Sequence, residues 1–445
     1  MPSKSMTKAL IAVRAAVRMK ILLRRLGETQ EDATPLLRDA PKMLSERIAV
    51  AKISLRPASS AAQSIDVSTP RSQVSVNWMY NDLFAIHALL TASALNLLLL
   101  VIPLALASGI LGWGALPTFW LNLLSLIPLA LVLGDVTEDL ALRFGNIIGG
   151  LLNATFGNIV EVILSVAALE KGLYVVVASS LVGSVLSNLL LVLGCCFFFG
   201  GLYYKVQTFN ATSNRACSSL LFLAAIGVAI PTAAKNILMG DSSVDSEQTI
   251  LWISRGTAII LFACYLCYLY FQLQTHADLF DGEHDDEEVE EEPMLTTTAA
   301  TLLLASISVL VAIHSEYLTG SIEEVSADTG MSQAFIGMIV LPIAGNACEH
   351  MAAIVVATKN KMELSLGIAI GSSLQISLCV LPFVVLVGWA TGHAMTLALD
   401  LFIVVALVLS VIHANFITAD ATSHWLMGVA LIAVYLLIAL AYFFQ

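Results

Sequence analysis

Eleven apolar runs of nineteen residues or more follow one another along this chain, at about 86–108, 116–134, 145–169, 173–199, 217–235, 249–273, 297–317, 332–358, 362–388, 395–416 and 425–443. Each is long enough to cross roughly 30 Å of hydrocarbon, which takes about 20 residues at 1.5 Å per residue. Lipid offers the backbone no hydrogen-bond partners, so these segments must be helices. The pattern therefore predicts an all-α polytopic membrane protein with eleven transmembrane helices. The third and eighth runs are weaker, because Gly, Asn and Glu interrupt them.

Composition agrees. Of 445 residues, 58 % are apolar and 12 % charged, with mean hydropathy +0.86. A soluble domain carries about 25 % charge, and without it large apolar patches would face water. The net charge of −12 is unevenly spread. Ten acidic residues lie between Asp278 and Glu292, and 13 of the 21 basic residues precede Asn81. No basic stripe crosses the apolar core, so nucleic acid is not an expected partner. The seven cysteines sit in or beside apolar runs, where small free thiols pack between helices.

Residues 1–77 are expected to form a separate, cytosolic N-terminal extension with a targeting role. Within it, Leu10–Leu26 reads as a basic amphipathic segment, suited to a membrane surface or to organelle import. Residues 57–75 read as a linker. With the N-terminus in the cytosol, Arg143, Lys205, Arg215, Lys359 and Lys361 fall on the cytosolic side and Lys171 and Lys235 opposite, as the positive-inside rule expects. The remaining divisions are an extra transmembrane helix in 78–113, five helices in 114–275, an acidic cytosolic linker in 276–296, and five more in 297–445.

The two five-helix blocks are related by one offset. Gly149, Gly157, Asn158 and Glu161 fall on Gly337, Gly345, Asn346 and Glu349, 188 residues later. The same offset carries Gly183, Ser184, Leu186, Leu190, Val192 and Leu193 onto Gly371, Ser372, Leu374, Leu378, Val380 and Leu381. Polar identities inside apolar helices carry the match. Since five is odd, the halves enter the membrane from opposite sides, an inverted repeat of the kind that binds substrate near the midplane.

A carboxylate in hydrocarbon is costly and should face a cavity, a cation or a proton. Asn158 and Glu161 share a helix face, as do Asn346 and Glu349. Brought together, the two copies supply two carboxylates and two amide oxygens, a hard donor set that suits calcium. Glu161 and Glu349 are thus the candidate metal ligands and proton carriers. Gly157, Gly345, Gly183 and Gly371 allow either close helix packing or exposed backbone oxygens. Ser184, Ser372 and Gln375 extend the polar lining, with Ser187, Asn188 and Ser373 nearby. His350 has no counterpart, since Val162 matches it; it is either a hydrogen-bonded helix residue or a proton or cation group. Two adjacent carboxylates repel, so protons can replace a departing cation. The acidic run, with Asp285, Asp286, Glu287, Glu288, Glu290, Glu291 and Glu292, is either a solvated loop or a cation-concentrating regulatory element.

At these residues, from about Trp78 to the C-terminus, the chain resembles the calcium/proton exchangers of the CAX type, within the calcium/cation antiporter group. The matching elements are the GNxxE motifs Gly157–Glu161 and Gly345–Glu349, the NATFGN, LPIAGNACEH, GSVLSN and GSSLQ segments, and the acidic stretch. The resemblance implies a secondary transporter, not an enzyme, that moves Ca2+ into an acidic organelle in exchange for luminal H+. It implies the vacuolar membrane, with another acidic organelle or a chloroplast membrane as alternatives. For residues 1–77 it implies a regulatory role. No cofactor is implied; manganese remains an alternative cargo. Partners on this reading are the lipid bilayer, calcium ions and protons. Self-association stays open, as does docking of the N-terminal extension on the cytosolic face. A sodium-coupled calcium exchanger and a cation channel are the competing functions.

Overall fold

The computed structural model describes residues 71–238, 246–279 and 293–444. Leu10–Leu26, the rest of the extension before Arg71, and the acidic residues Asp285–Glu292 lie outside the described residues. The helices are α1 (Arg71–Leu90), α2 (Ala94–Leu111), α3 (Ala115–Gly145), α4 (Ile148–Phe156), α5 (Ile159–Glu170), α6 (Tyr174–Tyr203), α7 (Ala211–Leu238) and α8 (Ser246–Thr275). After the acidic run come α9 (Thr297–Thr329), α10 (Gln333–Gly345), α11 (Ala347–Ala357), α12 (Met362–Thr391), α13 (Leu401–Thr418) and α14 (Trp425–Phe443). Among the described residues, nine helices are long and apolar enough to cross a membrane. Counting each of the bent pairs α4/α5 and α10/α11 as one span gives up to 11 crossings.

The first crossing starts later than its hydropathy suggests. The expected run 86–108 breaks at Thr91–Ser93, where local hydrogen bonds compete with the helix. Thr91 Oγ1 donates to His87 O (2.8 Å), Asn96 Nδ2 donates to Leu89 O (2.9 Å), and Ser93 Oγ accepts from Leu95 N–H (3.2 Å). The helix before this break, α1, runs through the expected boundary at 77/78 and includes the last residues of the expected linker.

Loops expected on one side of the membrane meet one another. Strand β1 (Gln207–Thr208), between α6 and α7, pairs antiparallel with β2 (Thr422–Ser423), between α13 and α14. Gln207 Nε2 also donates to Ala357 O and Asn360 Oδ1 at the end of α11. On the same face, called face A, the buried Asp139 carboxylate accepts from Met294 and Leu295 N–H, and Asp82 accepts from Thr296 N–H and Oγ1. At face B, Lys171 pairs with the Glu316 carboxylate and also donates to Glu316 O, both at 2.8 Å. There too Leu399 N–H donates to Thr232 Oγ1 (3.0 Å). Two sets of contacts with no mixing are what alternating crossings require.

Burial is graded from centre to rim. Over an apolar 18-residue stretch, 83 % of α6 is buried, against 17 % of α2. Exposed leucines and isoleucines such as Leu97, Leu100, Ile110 and Ile237 face outward, where lipid replaces water as the solvent. Helices α3 and α9 pack along each other, while α5, α6, α10, α11 and α12 enclose the centre. Within this centre, π-type turns interrupt α6 at Ser187–Val192, α10 at Ile336–Val340 and α12 at Ile376–Val380. The latter two lead into Pro342 and Pro382, whose rings exclude the normal bond to the carbonyl four residues back.

Candidate cation-binding site

Both GNxxE motifs sit at helix breaks. Asn158 (φ −113°, ψ 24°) separates α4 from α5 with a 40° bend, and Asn346 (φ −91°, ψ 10°) separates α10 from α11 with a 56° bend. Both backbones lie near the bridge region rather than the helical well. Neither side chain caps its own helix, so both amides are directed to other elements. Glu161 and Glu349 each fall in the first turn of a half-helix, where the unpaired N–H groups and the helix dipole favour negative charge.

The amides and hydroxyls form one chain of contacts. Asn158 Nδ2 donates to Gln375 Oε1, and Ser372 Oγ donates to Asn158 Oδ1 (3.1 Å). Asn188 Nδ2 donates to Ser372 Oγ (3.0 Å) and to Glu349 Oε2 (3.3 Å). Asn346 Nδ2 donates to Asn188 Oδ1 and to Ser184 O, both at 3.4 Å. Asn346 Oδ1 is buried and accepts from no donor among the described residues. A buried acceptor without a donor is costly unless something electropositive visits it. Glu161 reaches this centre from the other repeat: a Cβ on Gly345 would lie 3.3 Å from its Oε1. The centre thus receives one carboxylate from each repeat.

Two cavities border it, and they differ in size. Glu161, 8 % exposed, lines a space of about 10 Å³ with Ser165, Ser180, Ser184, Pro342 and Gly345, room for about one water. Glu349, Ser372 and Gln375 line a cavity of about 310 Å³. It reaches Phe209 and Asn210, in the face-A loop between β1 and α7, and Gln272 and Glu363, near the face-A ends of α8 and α12. Glu349 is thus reached from face A, while the space beside Glu161 holds about one water.

The structure brings Asn158, Glu161, Ser184, Asn346, Glu349, Ser372 and Gln375 together. His350 lines neither cavity, and its Nε2 lies 3.1 Å from Ser187 Oγ on α6, which fits the hydrogen-bonded helix reading. The four glycines divide. Gly345 makes room for Glu161, and Gly183 lies against the Met338 backbone, while Gly157 and Gly371 form cavity wall. Asn188 is the residue that pattern reading undervalued. It joins Glu349, Ser372 and Asn346, yet the repeat offset aligns it with Ile376. Ser165 was findable, since it lies one helical turn beyond Glu161 on the same face. Among the described residues no cluster of three or more His, Cys, Asp or Glu could hold a metal ion. Any ion here therefore relies on amide and hydroxyl oxygens beside the two carboxylates.

The fold and site have known parallels. The chain is 41 % identical over 357 residues to the vacuolar calcium ion transporter of Schizosaccharomyces pombe, covering 80 % of this chain and 86 % of the relative. It is 41 % identical over 371 residues to the Ca(2+)/H(+) antiporter of a Synechocystis species, covering 80 % and 98 %. The solved structure of native YfkE superposes with a TM-score of 0.67 at 36 % identity, covering 79 % of this chain and all of that one. The family described as sodium/calcium exchanger protein matches residues 114–274 and 299–444. Those two blocks are the halves α3–α8 and α9–α14, each carrying one broken helix with its asparagine and glutamate; the chain belongs to the sodium/calcium exchanger protein family.

Proposed function

We propose that this chain is a secondary antiporter that moves Ca2+ from the cytosol into an acidic organelle, the vacuole, in exchange for luminal H+. The observation that carries this reading is the pair of carboxylates at repeat-related helix breaks, one lining a cavity from face A and the other buried beside a space for about one water. The names and 41 % identity of the two relatives support calcium and proton as the exchanged ions. Face A is the cytosolic face on this reading, in keeping with the basic residues assigned to it.

Glu161 and Glu349 supply charge, and Asn158, Asn346, Ser372 and Gln375 supply neutral oxygen. Calcium accepts such a flexible, mixed oxygen cage more readily than magnesium does. Manganese fits the same donors and is the alternative cargo. When the cation leaves, two facing carboxylates repel, and protons neutralise them. Exchange follows if the empty, doubly charged site crosses poorly in either direction. Alternating access is the opening of one cavity and closure of the other around this fixed centre. The N-terminal extension and the acidic linker are proposed as cytosolic elements that regulate access, the extension by docking on face A.

Proteoliposomes with an acid interior, supplied separately with Ca2+, Mn2+ and Na+, test the assignment. Ca2+ uptake should require the pH difference and vanish in Glu161→Gln and Glu349→Gln. Uptake that follows a sodium gradient and ignores pH would select sodium coupling instead.

A further inference from the structure

One wall of the larger cavity is α12, which lines it with Leu364, Leu366, Ile368, Ile370 and Ser372 as well as with a stripe of spaced residues. Glu363, Gly367, Gly371 and Gln375 recur every fourth residue, so they share one helix face, and all four line the cavity. The stripe runs about 18 Å from Glu363 to Gln375 at 1.5 Å per residue. A Cβ at Gly367 or Gly371 would meet nothing within 4 Å. Bare backbone here borders empty space, and the missing side chains keep the track open.

Asn214 on α7 lines the same cavity. It is 7 % exposed, and its Nδ2 donates to Thr418 O (3.0 Å). Its Oδ1 is buried and accepts from no donor among the described residues. A buried amide oxygen left without a donor, on a residue that borders the same cavity as a half-buried carboxylate, is a neutral donor that a hard cation can draw toward the cavity. Glu363 also interacts with other groups of the protein, which compete with a bound cation and keep its binding weak.

The repeat supplies the comparison. Moved back by 188 residues, the stripe becomes Val175, Ser179, Gly183 and Ser187. That second track is shut, with Gly183 against the Met338 backbone and the Ser179 hydroxyl against Gly337. At its outer end, toward face B, stands Val175, where the first track has a carboxylate.

We propose that Glu363 and the Asn214 Oδ1 atom form an outer, weak site for a hard divalent cation at the cytosolic mouth, with no counterpart at the luminal mouth. The site rests on the exchange function and orientation proposed above. One carboxylate and one amide oxygen leave most of a calcium ion's six to eight positions to water. Such a site raises the local cation concentration above Glu349 without trapping the ion. Access is therefore weighted toward capture from the cytosol, while the repeat-related position on the luminal side is Val175.

Purified full-length protein in vesicles of one orientation, assayed for Ca2+ movement in each direction, tests this. Glu363→Gln and Asn214→Leu should raise the KM for cytosolic Ca2+ about two- to five-fold, the scale of one charge acting through screened water. Maximal rate and the KM for luminal Ca2+ should hold, and the Glu363→Gln effect should shrink in high salt. Val175→Glu should lower the luminal KM. Equal KM changes in both directions, or none at low salt, would overturn the outer site while leaving exchange intact. Loss of exchange in the wild type itself would instead overturn the parent reading.

Discussion

Gly183 and Gly371 occupy equivalent places in the two halves and meet opposite surroundings, so the same substitution should act differently at each. A methyl at Gly183 would run into the O, C and Cα atoms of Met338, which belong to the π-type turn of α10. Backbone cannot rotate away as a side chain can, so α6 and α10 must separate. Overpacking of this kind costs about 1–3 kcal/mol. Spent on the equilibrium between the face-B-closed arrangement and its alternative, that is about a 5- to 150-fold shift, at 1.4 kcal/mol per decade. A methyl at Gly371 meets nothing within 4 Å, and its cost to stability should stay within about 0.5 kcal/mol. It does enter the track toward Glu349. Thermal unfolding in detergent, Ca2+ uptake, and labelling of a Gly367→Cys background from face A by an impermeant thiol reagent separate the cases. Gly183→Ala should lower the melting temperature or the labelling rate, whereas Gly371→Ala should keep the melting temperature and slow uptake. Wild-type melting and labelling in Gly183→Ala would refute the tight face-B seam. A large melting loss in Gly371→Ala would refute the open track.

Two further outcomes follow from single contacts. Asn188→Ala removes donors to Glu349 and Ser372 and an acceptor from Asn346. A bond to a charged group is worth about 1.5–3 kcal/mol, and water from the large cavity offsets part of it. The KM for cytosolic Ca2+ should therefore rise about tenfold; an unchanged KM would remove Asn188 from the site. Asp139→Asn replaces a buried, charged acceptor for the N–H groups of Met294 and Leu295. It should cost about 1–2 kcal/mol in thermal unfolding, with the KM for cytosolic Ca2+ unaltered.

Much of this was legible because the bilayer narrows the choices. Apolar runs must be helices there, and polar residues inside them need a reason. The 188-residue offset could thus be trusted where it matched Gly157-Asn158 and Glu161 to Gly345-Asn346 and Glu349. Less legible were features that depend on a partner distant in the chain. Nothing in the sequence sets Asp139 and Asp82 apart from other acidic residues, and only the fold brings Met294–Thr296 to them. The break after α1 lies in an apolar run, where Ser93, Asn96 and Thr91 divert backbone groups that hydropathy does not register. Asn188 was hidden by the repeat itself, since a search for matched residues passes over an asparagine paired with isoleucine. No pattern distinguishes Gly183 from Gly371, because the difference belongs to a conformation rather than to a residue.

The matched and unmatched positions divide the work of an exchanger. A protein that alternates between two facing states turns over fastest when neither is much more stable, and two homologous halves with exchanged roles make the states near mirror images in energy. The scaffold keeps that symmetry: both breaks fall at asparagine, both carboxylates sit in a first turn, and the π-type turns at Ser187–Val192 and Ile376–Val380 nearly superpose under the offset. The ion gradients set the direction of net exchange, but a difference in affinity between the two faces cannot come from symmetric parts, because whatever they contribute to one face they contribute to the other. It must come from pairs that differ, among them Ser187 with Gln375, Val162 with His350, Asn188 with Ile376 and Val175 with Glu363. Of these, Gln375, Asn188 and Glu363 all act on the side of Glu349. The chain is therefore symmetric in what moves and lopsided in what binds, with the extra polar groups gathered along the cavity that reaches face A.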